Sequence, residues 1–330
     1  MRIVGIGGGT GLPVLLSGLK ELLERGECDA EVTALVAMSD SGGSSGDLRR
    51  ELGIPALGDL RNCFMALGDL PPVLKALCQH RFERLDGWAG HSVGNLVLSA
   101  LYQMSGDFEG MVRLASDLFK LKGSVLPSTT EPVTLCAEFD DGTTVRGESN
   151  IPLKRRPIRR VWLEPERPQP ACDVVNTIAA ADIIVFGPGS LFTSIIPNLL
   201  VADVADAIHA SSATKVYVCN LMTQFGETEG LAAADHLRIL QSYLPAHTID
   251  VCVVNTRPAG PLLAQRYARG GAHFVPVSAE HVRQLGVSFH GAELLQEKNE
   301  KVRHDPIALA RLITQLTERG KEMEAVCAES

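Results

Sequence analysis

Glycine occupies positions 7, 8, 9 and 11, with Thr10 between them, in the stretch Arg2-Ile-Val-Gly-Ile-Gly-Gly-Gly-Thr-Gly-Leu-Pro-Val-Leu-Leu16. Ile3, Val4 and Ile6 form a short apolar run of the kind found in strands covered on both faces of a parallel sheet. Leu12, Leu15, Leu16, Leu19, Leu22 and Leu23 then recur at helical spacing, and Pro13 falls in the first turn, where its missing N–H is harmless. Strand, glycine turn and helix start in succession converge backbone N–H groups on one point, reinforced by a dipole worth roughly +0.5 charge. The chemistry this favours is anion binding, a nucleotide phosphate held over Gly7, Gly8, Gly9, Thr10, Gly11 and Leu12. The spacing matches neither G-x-G-x-x-G nor G-x-x-x-x-G-K-[ST], so a redox dinucleotide and a kinase-type loop are poorly supported.

Three further clusters could join that turn. Ser39-Asp40-Ser41-Gly42-Gly43-Ser44-Ser45-Gly46 follows an apolar run, Glu31 to Met38, and reads as a second cradle. There Asp40 could bond a ribose hydroxyl or a cation, or simply cap the turn or the next helix. In Gly58-Asp59-Leu60-Arg61-Asn62-Cys63, Asp59 is the expected N-cap, and Arg61 and Asn62 project from the first turn toward a phosphate. Read as a surface residue, Arg61 should contribute little to folding. Gly90-His91-Ser92-Val93-Gly94-Asn95 opens an apolar helix; His91 suits a general acid/base, or a helix-start histidine bonded to backbone. In the second half, Gly187-Pro188-Gly189-Ser190 with Thr193 repeats the logic of strand, glycine turn and hydroxyl-rich helix start, and Asn220 and Thr223 end another strand. Asp40 and His91 are the candidate catalytic residues. Gly42, Gly43, Ser44, Ser45, Asp59, Arg61, Asn62, Asn95 and the second-half residues complete the candidate phosphate and nucleotide contacts. No metal ligands are assigned.

The elements that position these residues alternate between helix and strand. Helices are expected at Pro71–Phe82, Leu96–Tyr102, Asp107–Lys120, Ala171–Ala181, Thr228–Tyr243 and Pro306 to about Arg319, the last capped by His304-Asp305. Strands are expected at Asp182–Phe186, Lys215–Asn220 and Ile249–Asn255. From Val125 the period changes: Val133, Leu135, Ala137 and Phe139 alternate, Asp140-Asp141-Gly142 makes a turn, and Ile158–Leu163 adds a strand. The expectation is one α/β domain over residues 1–330, Rossmann-like and doubly wound, with a mostly parallel sheet and a small β-rich insertion at about 124–168. The ligand should sit at the sheet's carboxyl edge, with the turn at Gly7–Gly11 next to that at Ser39–Gly46 and with Gly187–Ser190 on the same edge. The apolar run Ile195–Leu200 is read as core.

Composition narrows the function. The chain is 45% hydrophobic and 21% charged, without a disorder signature. A net charge of −8 and 5% aromatic residues argue against a nucleic-acid partner. No basic and apolar leader and no apolar run of roughly 20 residues is present, so no membrane partner is expected and the location is read as cytoplasmic. The eight cysteines form no C-x-x-C pair and read as reduced packing residues.

With these motifs in view, the chain resembles the gluconeogenesis factor family (YvcK-like proteins) of the CofD-like superfamily. The resemblance covers essentially the whole chain and rests on Gly7–Leu12, Asp40 with Gly42–Gly46, Gly58–Cys63, Gly90–Leu96, Gly187–Leu191 with Thr193-Ser194, and Met222-Thr223-Gln224 with Gly226-Glu227-Thr228. It implies a Rossmann-like fold that binds a nucleotide diphosphate compound. For the gluconeogenesis factors that means UDP-sugar binding and control of carbon flow toward cell-wall precursors and of cell shape. For the transferase branch it means moving a phospholactyl group from a nucleotide diphosphate donor onto a deazaflavin precursor. Ser41 and Phe225 depart from the family pattern, which carries a second aspartate and a proline there, so one carboxylate for a divalent cation is missing. The sequence names no cofactor of its own, and Mg2+ is expected only in company with a nucleotide diphosphate. A homo-oligomer and a regulatory protein partner are both compatible with the chain.

Overall fold

The computed structural model describes residues 1–83, 89–298 and 300–316. In chain order, β1 (Arg2–Gly7), α1 (Leu12–Glu24), β2 (Glu31–Val36), α2 (Gly43–Leu52), α3 (Gly58–Leu67), α4 (Pro72–Gln79), α5 (Val93–Ser105) and α6 (Phe108–Phe119) lead to β3 (Ser124–Pro127). β4 (Thr134–Phe139), β5 (Thr144–Arg146) and β6 (Ile158–Glu164) follow. Then come α7 (Val174–Ala179), β7 (Ile183–Phe186), a wide π turn over Leu191–Ile195, α8 (Ile196–Leu199), α9 (Val204–Ala210) and β8 (Thr214–Val218). The chain continues through α10 (Ala233–Gln241), β9 (Val251–Asn255), α11 (Pro261–Arg269), α12 (Ala279–Arg283), β10 (Ser288–Ala292), β11 (Leu295–Lys298) and β12 (Lys301–His304).

Seven strands form one parallel sheet in the order β10-β9-β8-β7-β1-β2-β3. This is the Rossmann-like α/β architecture read from the sequence. The chain fills one side of β1 with β2 and β3, then crosses to β7 and fills the other side. β1 and β7 are direct neighbours, in register from Ile3↔Ile183 to Ile6↔Phe186. The direction of winding therefore reverses between the two strands that carry the glycine turns, and ligands of such sheets bind in the crevice outside that point. Both strands are buried on both faces, which is why they read as unbroken apolar runs. α1 lays Leu12, Leu15, Leu16, Leu19 and Leu22 against them, all at most 1% exposed; burying each contributes about 1.5–3 kcal/mol. Ile195, Ile196 and Leu199 are core, as expected.

The structure corrects several boundaries. Ser124–Pro127 lies in the main sheet as the neighbour of β2, so the antiparallel unit comprises only β4, β5 and β6. The apolar alternation that marks the hairpin starts at Val133, and β3 lacks it. The helix expected from Thr228 starts at Ala233, because residues 228–230 are held in a turn by the Thr228 hydroxyl, which accepts the Gln224 N–H at 2.9 Å. β10, the β11–β12 hairpin, α11 and α12 were not read from sequence. The last helix runs over Pro306–Leu316, with Asp305 accepting the N–H groups of Ile307 and Ala308 at 3.0 and 2.9 Å; positions 317–319 and Cys327 lie outside the described residues. Cys172 is exposed, unlike the packing role read for it, whereas Cys63, Cys78, Cys136, Cys219 and Cys252 are buried. Among the described residues no single helix is long and apolar enough to cross a membrane.

Candidate functional site

A cavity of about 480 Å³ opens at the switch point. The β1–α1 turn supplies Gly9, Thr10 and Gly11, and the turn after β7 supplies Pro188, Gly189, Ser190 and Thr193. The segment after β8 adds Asn220 to Gln224 and Glu227, and Glu148 reaches in from the antiparallel unit. Tyr267 of α11 with Val302, Arg303 and His304 of β12 forms the far wall. The two glycine turns touch: a Cβ on Gly11 would lie 2.3 Å from the Pro188 carbonyl oxygen, a distance no side chain tolerates. Asn220 accepts the Gly189 N–H at 3.1 Å and donates to the Gly189 carbonyl at 2.7 Å. Ser190 caps the π turn by accepting the Thr193 N–H at 3.1 Å, and its own hydroxyl donates to Glu227. Thr223 is tied to His273, accepting its N–H at 2.9 Å and donating its own N–H to its carbonyl at 2.7 Å. Arg303 bonds Thr10 Oγ1 at 3.2 Å and brings a guanidinium to the cavity.

The second Gly/Ser cradle and the Arg61 segment line a different cavity, of about 310 Å³, on the β2 side of the first turn. Asp40, Gly42, Gly43, Ser44 and Ser45 face Gly58, Asp59, Arg61, Asn62, Arg81 and Asn95 across it. Asp40 Oδ1 accepts the Gly42 N–H at 2.9 Å, the turn-capping role allowed for it. Asn62 donates to the Gly9 carbonyl at 2.8 Å, so the wall between the two cavities is the first glycine turn itself. Asp59 is not the N-cap of α3, which starts at Gly58 with Leu57 before it. Its carboxyl instead turns under the glycine turn: a Cβ on Gly8 would meet it at 2.5 Å. Arg61, expected at the surface, is 9% exposed and donates to Ser92 Oγ at 2.5 Å and Asn62 Oδ1 at 2.7 Å. A residue in the second turn of a helix points wherever the neighbouring helix leaves room, and here α5 covers it.

Of the remaining predicted residues, Gly7 and Leu12 lie beneath the turn and line neither cavity; Leu12 is fully buried, and a Cβ on Gly7 would touch its side chain at 3.2 Å. Gly187 forms the bend at φ 80° behind the first cavity. His91 is buried behind the second, with Nδ1 3.0 Å from Ser44 Oγ. Asn95 donates to the same oxygen at 3.1 Å, so the Ser44 hydroxyl joins the two side chains. The histidine therefore bonds a side chain and not the backbone.

The electrostatics are acidic. Burial and the neighbouring Asp40 raise the Asp59 carboxyl to about 7, against the opposing pull of the Gly9 N–H and Arg61. Burial, then Asp40, Asp59 and Glu227, raise Glu148 to about 7. Burial raises Glu227, and its bond to Ser190 opposes the rise. Burial lowers His304 to about 4, while a bond to the Cys219 carbonyl opposes that shift. Arg303, Tyr267, Glu148, Glu227 and His304 were missed as site residues. Glu227 alone had a local signal, its place in Gly226-Glu227-Thr228 after the strand-end motif.

The whole chain compares closely with known proteins. A family model described as 2-phospho-L-lactate transferase CofD matches residues 3–295. The gluconeogenesis factor of Halalkalibacterium halodurans is 41% identical over 312 residues, 94% of this chain and 95% of that protein. The gluconeogenesis factor of Bacillus subtilis is 41% identical over 315 residues, 96% of this chain and 98% of that protein. The crystal structure of protein BH3568 from Bacillus halodurans matches with a TM-score of 0.90 at 41% identity, covering 94% of this chain and 98% of that one. The chain belongs to the CofD family and, within it, to the gluconeogenesis factors.

Proposed function

We propose that the protein is a cytoplasmic binder of a UDP-type nucleotide sugar, and that ligand occupancy regulates carbon flow to cell-wall precursors and cell shape. The observation that carries the binding reading is the convergence of three strand ends, after β1, β7 and β8, on one cavity beside a guanidinium. In this reading the diphosphate lies across the two touching glycine turns, where backbone N–H groups and Arg303 meet its charge. Tyr267 offers a ring to a base or sugar face. Glu148 and Glu227 would repel a bare anion, but they accept hydrogen bonds from ribose and sugar hydroxyls, which fits a ligand that carries both phosphate and polyol. The regulatory role rests on membership of the gluconeogenesis factors.

Residues for a resident Mg2+ do not fit. Asp40 spends one oxygen on the Gly42 N–H, Ser41 stands at the second carboxylate position, and among the described residues no group of three or more His, Cys, Asp or Glu is placed to hold a metal ion. Any Mg2+ would enter with the nucleotide. Calorimetry with UDP-N-acetylglucosamine, UDP-glucuronate, GDP and NAD tests the reading. A UDP-sugar should bind with micromolar affinity, about −8 kcal/mol, and silence from every nucleotide at millimolar concentration would overturn it. The description of the matching family model favours a second reading, phospholactyl transfer to a deazaflavin precursor. Product formation from a lactyl-diphosphonucleoside donor, with Mg2+ and acceptor, would establish that one.

A further inference from the structure

The second cavity holds an arrangement of charge that nucleotide binding in the first does not use. Arg61, nine-tenths buried, directs two of its five N–H donors at Ser92 and Asn62, and Nε is buried with no partner. Among the described residues no carboxylate lies within 4 Å of its guanidinium. Among the described residues the Arg81 side chain, on the same cavity, bonds the Gly90 carbonyl at 2.8 Å. The two guanidiniums are close enough that Arg81, after burial itself, disfavours the charged form of Arg61. The first turn of the ten-residue helix α2 opens on the same space without a side-chain cap, because Gly42 stands at its N-cap. Asn95 is 1% exposed, and its Oδ1 is an unpartnered buried acceptor.

Two arginines on one cavity and an uncapped helix start call for an anion. The unpartnered Asn95 oxygen, with Asp40 and Asp59 on the cavity wall, calls for hydroxyl donors on the same molecule. A bare phosphate satisfies the first set and is repelled by the second. We propose that this cavity is a separate site for a small phosphorylated polyol, its phosphate between Arg61, Arg81 and the start of α2, its hydroxyls toward Asn95 and Asp40. The cavity volume, about 310 Å³, is too small for a nucleotide sugar and ample for a short sugar phosphate. Because the wall between the cavities is the Gly9 turn, both sites can be filled at once.

Calorimetry with glycerol 3-phosphate, inorganic phosphate and glycerol tests this, with and without saturating UDP-N-acetylglucosamine, on the full chain and on Arg81→Ala and Arg303→Ala. Arg81 and Arg303 are exposed, so both variants should fold, which melting curves verify. Glycerol 3-phosphate should bind the parent about tenfold or more tighter than phosphate, and Arg81→Ala should weaken it by about tenfold, the loss of one charge-assisted bond. Nucleotide and Arg303→Ala should leave it unchanged. Equal affinity for phosphate and glycerol 3-phosphate would refute the hydroxyl half of the proposal. No binding, an unaltered Arg81→Ala, or displacement by the nucleotide would refute the site. A nucleotide that fails to bind overturns only the reading of the first cavity, since the glycerol 3-phosphate titration is run without it as well.

Discussion

Asn220 holds Gly189 by both polar atoms of the glycine, accepting its N–H at 3.1 Å and donating to its carbonyl at 2.7 Å. The side chain the sequence suggested as a ligand contact thus spends its amide on fixing a turn.

Asn220→Asp removes the donor and sets a carboxylate against the Gly189 carbonyl. Nucleotide-sugar affinity should fall by about tenfold or more, the value of one to two hydrogen bonds. Calorimetry on this variant against Asn220→Gln checks it; unchanged affinity in the aspartate variant would separate the turn from the ligand.

Gly11→Ala must push a methyl group into the Pro188 carbonyl, at 2.3 Å in the undistorted backbone. Both turns have to move, so stability should fall by about 1–3 kcal/mol or more and nucleotide binding should be lost. Gly26→Ala is the comparison: its Cβ meets nothing within 4 Å, and only its φ of 66° is strained. Urea melts should show the smaller loss there, with ligand binding intact.

Arg61→Ala should destabilise the fold even without ligand. The arginine of α3 is buried against the start of α5, and its removal takes one bond from Ser92 Oγ and the bond to Asn62 Oδ1, a loss of about 1–3 kcal/mol. Denaturant melts would show the midpoint falling at constant slope. The surface reading of this residue predicted almost no change, so the measurement decides between them.

Carboxyls and histidines of the site pull the pH profile in opposite directions. Asp59, raised from 3.8 to about 7, binds more protons folded than unfolded between those values, so its contribution is lost as pH rises through that window. His304, lowered from 6.5 to about 4, binds fewer, so its contribution is lost as pH falls through that window. Relative to the parent, Asp59→Asn should gain stability as pH rises from 4 to 8. His304→Gln should gain stability as pH falls from 6.5 to 4. Melting curves across pH check both signs, and parallel profiles for parent and variant would refute either assignment.

What could be read from the sequence was whatever is local. The β1 turn and α1 declare themselves because apolar strand, glycines and leucine spacing lie within 23 residues of one another. The same logic found the β7 turn and put it on the carboxyl edge of the sheet; its place beside the first turn follows only from the pairing of β7 with β1. Asp59 and Arg61 were assigned to the right helix and given the wrong surroundings, since their neighbours are Gly8, Gly9 and Ser92, fixed only by packing. Glu148, Tyr267 and Arg303 had no signal at all. Each sits in a hairpin or helix whose own pattern is ordinary, and only the fold carries it to the glycines.

The bond from Arg303 to Thr10 spans 293 positions of the chain. A ribosome adding 5–20 residues per second needs roughly 15–60 s to travel that far. For all of that interval the glycine turn at the start of β1 exists without the β12 wall of its cavity. A ligand that uses the whole of this cavity would find it complete only once the β11–β12 hairpin has emerged.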